Sequence, residues 1–260
     1  MVRVEHVMGT VVSLHLRDPG IADAAVDGVF GWFHEVDARF STYREDSEVS
    51  RLGRGALGVG ESSDDVREVL ALCDDVHRES EGIFEVWGRR HGPPFDPSAL
   101  VKGWSVDRAA AMLEGAGARN FYLNAGGDVV GRGGAQPGRG WRVGIVHPEE
   151  LDKVAAVITA TDCAVATSGA YERGHHIVDP RSGRPSSGLL SMTVVGPSLA
   201  RADAYATAAY VMGREGVGWV SGRPGYEAYA ITAQHRAVFT AGFARLLTSV
   251  TLDPVPGPSA

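Results

Sequence analysis

The sequence predicts an α+β protein folded as one compact unit. Apolar residues recur at three- and four-residue steps in several stretches, and short alternating or apolar runs bounded by glycine-rich turns lie between them. These runs follow no regular strand–helix–strand rhythm, which argues against a parallel α/β sheet. Neither an internal repeat nor a linker divides the chain, and 260 residues are enough for one large core.

Composition narrows the function classes. Hydrophobic residues at 44% and charged residues at 22% are ordinary for a globular protein. A net charge of −7 argues against general attraction to nucleic acid or an anionic membrane. Cys73 and Cys163 match no metal spacing and read as buried hydrophobes. No run reaches the length of a membrane span. The first residues carry no apolar signal core or lipidation cysteine, so a cytoplasmic location is expected.

In chain order, residues 2 to 16 alternate as a strand interrupted at Met8-Gly9-Thr10, where the glycine permits a bend or a ligand's approach. Residues 21 to 40 read as a helix with Val26, Val29, Phe30, Phe33 and Val36 on one face. A polar segment and a glycine-rich loop from Gly53 to Gly60 follow. Ser63 is a predicted N-cap, with Asp64 and Asp65 in the first turn, where the helix dipole favours acids. The stripe Val66, Val69, Leu70, Cys73 and Val76 continues that helix to a stop at Gly82. Ile83 to Trp87 reads as a strand, followed by a basic, proline-rich loop and a helix over 102 to 115. Strands are predicted at 121–124, 129–130, 141–147, 154–160, 164–167 and 189–195, with a glycine-rich hairpin from Gly131 to Gly140. A helix over 200 to 212 precedes strands near 228–232 and 237–240. The domain is predicted over 1–248, with 249–260 a disordered, proline-rich tail.

The stretch from 166 to 213 concentrates the chemistry. Asp203 and Thr207 are four apart in an alanine-rich helical run, so their side chains stack on one face. A carboxylate beside a hydroxyl suits Mg²⁺ or Ca²⁺ better than zinc, although such a pair is also a common capping or solvated feature. Thr167-Ser168-Gly169 and His175-His176 follow a predicted strand. Asn124 to Asp128 reads as a hairpin turn or as part of a site. The Gly131 to Gly134 stretch is no dinucleotide fingerprint, because strand residues follow it and no helix points at a phosphate.

Six ordered blocks together resemble the ApbE-type FAD:protein FMN transferases from Met8 to about Leu247. They are Met-Gly-Thr at 8–10, Phe-Ser-Thr-Tyr with Ser-Glu-Val-Ser within 40–50, and Asp-(five residues)-Lys-Gly-Trp-Ser-Val-Asp at 96–107. The others are Asn-Ala-Gly-Gly-Asp at 124–128, Thr-Ser-Gly-Ala-Tyr…His-Ile-Val-Asp-Pro at 167–180, and Ala-Asp-Ala-Tyr-Ala-Thr-Ala at 202–208. The resemblance implies a T-fold-like unit of mixed sheets and helices around a central flavin cleft. It implies a Mg²⁺-dependent enzyme that moves the FMN half of FAD to a Ser or Thr hydroxyl of an acceptor flavoprotein and releases AMP. By the same resemblance the metal is held by Asp203, Thr207 and the backbone of Ala99. FAD contacts carry over to Met8, Tyr43, Ile83, Phe84, Glu85, Asp96, Lys102 and Ile177, with Asn124, Gly126, Gly127, Thr167, Ser168 and Gly169 lining the cleft. His176 matches the family's candidate for proton handling.

This sequence departs from the family pattern in places. Pro97 to Val101 replaces the usual glycine- and alanine-rich interval, Glu85 stands where Asp is usual, and Gly53 where Asn is usual. The loop from Trp87 to Asp96 is short. Two rivals to the transferase reading are a Mg²⁺-dependent FAD hydrolase giving FMN and AMP, and a protein that stores FAD without turnover. No motif names the acceptor or an oligomeric state.

Overall fold

The computed structural model describes residues 1–88, 95–169, 177–251 and 254–255. The chain opens with a hairpin, β1 (Val2–Val7) and β2 (Thr10–Leu16), where one interrupted strand was expected. The reason is local: Met8 and Gly9 both adopt positive φ, +55° and +67°, which reverses the chain in two residues. Helix α1 (Asp23–Phe40) buries the predicted stripe, and a short α2 (Glu48–Gly53) follows. α3 (Asp64–Glu79) also buries its predicted stripe.

Both ends of α3 differ from the expected capping. The Ser63 hydroxyl makes no cap bond, and its backbone N–H donates instead to Glu48 Oε2 at 2.7 Å. At the far end Glu81 takes the left-handed position, with φ +54°, and Gly82 follows at +82°. Their N–H groups return to the carbonyls of Arg78 and His77, which closes the helix end.

Ile83 to Trp87 forms no strand, contrary to expectation. Its backbone is engaged by a helix end and a loop: Phe84 N–H donates to Ser80 Oγ, and Asp96 N–H donates to the Val86 carbonyl. α4 (Ser98–Gly115) starts four residues before the expected 102, because Asp96 Oδ1 accepts from the Ser98 N–H and hydroxyl and so caps the earlier turn.

The second half builds β3 (Phe121–Ala125), β4 (Asp128–Arg132), β5 (Trp141–Val146), β6 (Val154–Ala160) and β7 (Cys163–Gly169). A two-strand pair, β8 (Val178–Asp179) and β9 (Arg184–Pro185), precedes β10 (Leu189–Gly196). Helices α5 (Leu199–Met212) and α6 (Glu215–Ser221) follow, the latter with no strong sequence signal. β11 (Glu227–Thr232), β12 (Ala237–Phe239), β13 (Leu247–Val250) and β14 (Pro254–Val255) complete the described elements. β13 pairs with β6, Ser249 opposite Val157 and Val250 opposite Ala156, so order extends past the expected boundary at 248.

Among the described residues the main sheet has nine strands in the order β1-β2-β3-β4-β7-β10-β11-β12-β14, and β13-β6-β5 form a second, smaller sheet. The middle of the main sheet is buried on both faces. Ala164, Ala166, Val194, Ala228 and Ala230 face the helical core, while their neighbours Val165, Val195, Tyr229 and Ile231 join a second core under the small sheet. α5 is buried on nearly all sides, between the sheet and α4. Alanines on α5 and on the facing strands let their backbones approach closely, which places Asp203 inside the protein rather than on a solvated face. No helix among the described residues is long and apolar enough to cross a membrane.

Candidate active site

Three elements converge on one ammonium group. Lys102, in the second turn of α4, makes ion pairs with Asp128 at the start of β4 and, at 3.1 Å, with Asp203 Oδ2 on α5. Asp128 is 1% exposed and Asp203 5%. Two carboxylates at that depth need a counter-charge, and the lysine supplies it. Asp128 is oriented in turn by the Thr167 backbone N–H, which donates to its Oδ1 at 3.1 Å. One turn along α5 from Asp203, the Thr207 hydroxyl lies 3.1 Å from Ser168 Oγ on β7.

Two tight turns frame this junction. Between β3 and β4, Gly126 and Gly127 take φ of +59° and +99°, and Asn124 Oδ1 accepts the Gly127 N–H at 2.9 Å. A Cβ on Gly126 would sit 2.5 Å from Thr10 Oγ1, so only glycine lets this turn lie against the β1–β2 turn. Gly126 N–H also donates to the Val11 carbonyl. Met8, at the other turn, accepts a long contact from Ser105 Oγ on its sulfur at 3.7 Å. Ser105 lies one turn beyond Lys102 on α4, and its hydroxyl also donates to the Lys102 carbonyl.

Asp107 decides where α5 sits. Its carboxylate accepts from Ser198 Oγ at 2.8 Å and from the N–H groups of Leu199 and Ala200, each at 2.9 Å. One helix thereby caps the N-terminus of another, where a negative charge is favoured. Burial pushes the Asp107 carboxyl above the usual carboxylate range, while these bonds oppose the rise. Asp107 and Asp128 were visible as the last residues of two sequence blocks, but nothing local marked Asp107 as a cap or Asp128 as the partner of Lys102.

A second region lies at the C-terminal end of α3. An open groove of about 430 Å³ is lined by His77, Arg78, Glu81, Gly82, Glu85, Pro180 and Arg181. His77 Nδ1 is 2.8 Å from the Phe84 carbonyl, and Glu85 Oε1 accepts the Trp87 N–H at 2.7 Å. Asp179, beside Pro180, is held below the usual carboxylate range first by the Arg181 guanidinium.

The oxygen donors near the junction suit a hard cation. Asp203, Thr207 and Ser168 offer a carboxylate and two hydroxyls, and Ala99 lies on the same helical face as Lys102, three residues before it. Among the described residues no group of three or more His, Cys, Asp or Glu could hold a metal by itself. That set fits Mg²⁺ as it binds beside phosphates, through one or two carboxylates with substrate oxygens completing the shell.

The model of the ApbE family matches residues 8–87 and 88–230. This chain belongs to the ApbE family. Among curated relatives, the FAD:protein FMN transferase of Rhodobacter capsulatus is 35% identical over 213 residues, covering 78% of this chain and 37% of that one. This chain therefore spans little more than a third of that relative's length. The FAD:protein FMN transferase of Vibrio cholerae is 28% identical over 80% of each chain. The solved flavin transferase ApbE from Vibrio cholerae superposes with a TM-score of 0.83 at 26% identity, over 95% of this chain and 99% of that one. The ApbE protein of Thermotoga maritima superposes at 0.84 with 20% identity, a likeness of fold alone. The α+β unit expected from the sequence is the ApbE fold.

In this ApbE chain the sequence-expected site residues divide into groups. Met8, Lys102, Asn124, Gly126, Gly127, Ser168, Asp203 and Thr207 belong to the junction and its framing turns, with Ala99 in the adjoining turn of α4. Glu85 lines the groove, whereas Phe84 is 3% exposed and Ile83 packs partly against the core. Asp96 caps α4, and Ile177 packs against the core while its carbonyl accepts the Ser186 N–H. Thr167 joins the junction only through its backbone. Its hydroxyl meets Thr193 Oγ1 at 2.8 Å on the other face of the sheet, and Gly169 ends the same strand. Tyr43 is 93% exposed. His176 and His175 lie outside the described residues.

Proposed function

We propose that this protein is an FAD:protein FMN transferase that uses Mg²⁺ and modifies a Ser or Thr hydroxyl of an acceptor flavoprotein. The observation that carries the reading is the buried Asp203 on α5, with the Lys102 ammonium on one side and the Thr207–Ser168 hydroxyls one turn away. The relatives named for this activity support it, as does the fit of these oxygens to a phosphate-bound divalent ion.

In the reaction, the acceptor's hydroxyl oxygen forms a bond to the FMN-side phosphorus of FAD. The bond from that phosphorus to the bridging oxygen breaks, and AMP leaves with that oxygen and the electron pair. Asp203, Thr207 and the Ala99 carbonyl would hold the Mg²⁺, which would supply charge neutralisation at the phosphate oxygens. Lys102 adds a second positive charge beside them. Asp128, oriented by the Thr167 N–H, keeps that lysine at the site. Asp107 keeps α5, and with it Asp203 and Thr207, at a set distance from α4. The hydroxyl's proton passes to a base, for which His176 is the sequence candidate because imidazole titrates near neutral pH.

Incubation with FAD, Mg²⁺ and a peptide bearing the target hydroxyl tests the reading. Flavinylated peptide together with AMP is the expected outcome. Free FMN with AMP would instead make the protein an FAD hydrolase, and intact FAD would leave only binding or storage.

A further inference from the structure

We propose that the Lys102 ammonium is the resident counter-ion of Asp203, and that a divalent ion has to displace it before the α5 site can load. This rests on the metal reading above and adds an order to it. Without a dinucleotide the site takes divalent ions weakly, and it takes them well once phosphates draw the lysine away.

The argument starts from burial. Asp128 and Asp203 are almost fully enclosed, and both carboxylates pair with the Lys102 ammonium. Removing that cation would take away a charge that both buried carboxylates share, a costly step. The Lys102 nitrogen lies 3.1 Å from Asp203 Oδ2, so a cation arriving at that oxygen meets a like charge within contact distance. Bringing a divalent ion to that oxygen sets the two positive charges against each other.

The backbone cannot relieve the conflict. α4 is locked onto α5 where a Cβ on Gly103, the residue after Lys102, would lie 2.4 Å from the Leu199 carbonyl oxygen. Asp107 clamps the same two helices one turn further on. Only the lysine side chain is left to move, and it is 23% exposed, with a flexible four-carbon stem. Asp128, held by the Thr167 N–H, keeps the ammonium within reach when it leaves Asp203. Because coupling between ligands is reciprocal, a dinucleotide whose phosphates attract Lys102 tightens ion binding, and the ion tightens dinucleotide binding.

The test is Mn²⁺ binding to the full chain without FAD, followed by the loss of the free-ion electron paramagnetic resonance signal. Lys102→Gln removes the obstacle but leaves Asp128 without its partner. The double variant Lys102→Gln/Asp128→Asn removes one charge of each sign and leaves the net charge unchanged, so it separates displacement from the general electrostatic field. The expected result is that the double variant binds Mn²⁺ at least about fivefold more tightly than the unmodified protein, the lower end of ordinary coupling between ligands. Equal affinity of the two would overturn the proposal. Asp203→Asn introduced into the double variant separates the two readings: it abolishes the tightened binding if the ion sits on α5. If Asp203→Asn changes Mn²⁺ binding in no background, the metal assignment itself fails, and the displacement proposal falls with it.

Discussion

A Cβ built on Gly103 would come within 2.4 Å of the Leu199 carbonyl oxygen. The spacing between α4 and α5, and so between Lys102 and Asp203, depends on that absent methyl group. Gly103→Ala forces the helices apart. The expected loss of stability is about 1–3 kcal/mol, as for overpacking in a closed core, read from the urea midpoint. Activity should fall more than stability alone explains, because Asp203 and Thr207 move away from the Ala99 turn of α4.

Asp107→Ala removes the acceptor for the Ser198 hydroxyl and for two backbone N–H groups at the buried start of α5. Leaving those donors unsatisfied should cost about 2 kcal/mol or more. Asp107→Asn keeps an acceptor oxygen and should lose less. Chemical denaturation of both variants checks the ranking, and an Asn variant as unstable as the Ala variant would contradict it.

Asp203→Ala and Thr207→Val should each reduce activity and shift the Mg²⁺ titration to higher concentration. The Asp203 change should be the larger, since it removes the charged ligand. Rates measured across a Mg²⁺ series decide the matter. Full activity with an unaltered metal response in either variant removes that residue from the ligand set.

His176→Ala should slow transfer by about 10²–10⁴-fold, the usual contribution of a positioned base, while FAD affinity stays close to that of the unmodified protein. Flavin fluorescence gives the affinity and AMP release gives the rate. A large loss of FAD affinity would make His176 a binding residue instead.

Glu79 joins α3 to α5, accepting from the Tyr205 hydroxyl at 2.6 Å and from Arg201 at 2.8 Å. Burial works to raise its carboxyl, but those two partners together hold it below the usual range. A depressed folded-state value means the stability it contributes is complete above the ordinary glutamate range and is lost as pH falls through the depressed value. Glu79→Gln should therefore lose most stability near neutrality and show a flatter acid limb, the two proteins converging as pH falls through and below the ordinary glutamate range. Urea midpoints across that range test it, and parallel curves for the two proteins would show that Glu79 is not the group responsible.

Local patterns made some elements legible because they depend on nothing distant. The stripes of α1 and α3 are buried as their three- and four-residue spacing requires, with Val26, Val29, Phe33, Val66, Val69 and Val76 each no more than 2% exposed. The Asn124–Asp128 turn follows from its paired glycines. Where tertiary partners compete for the backbone, the same reasoning misses. Ile83 to Trp87 has the side chains of a strand, but a strand exists only with a neighbour to pair with, and here Ser80 and Asp96 take its hydrogen bonds. Ser249 and Val250 show the converse, since β6 offers an edge that orders a segment expected to be loose.

By itself, the sequence determined that Asp203 and Thr207 share a helical face, that the chain is one α+β unit, and that its blocks are those of the ApbE family. Only the tertiary structure decided what surrounds that face. It set Lys102 between Asp128 and Asp203, turned Ser168 toward Thr207 and the Thr167 hydroxyl away from it, and made Asp107 the cap of a helix that begins 92 residues later. The physical reason is range. Helical and strand periodicity register neighbours a few residues apart, whereas the pairing of buried charges and the choice of sheet face are settled by packing between elements remote in the chain.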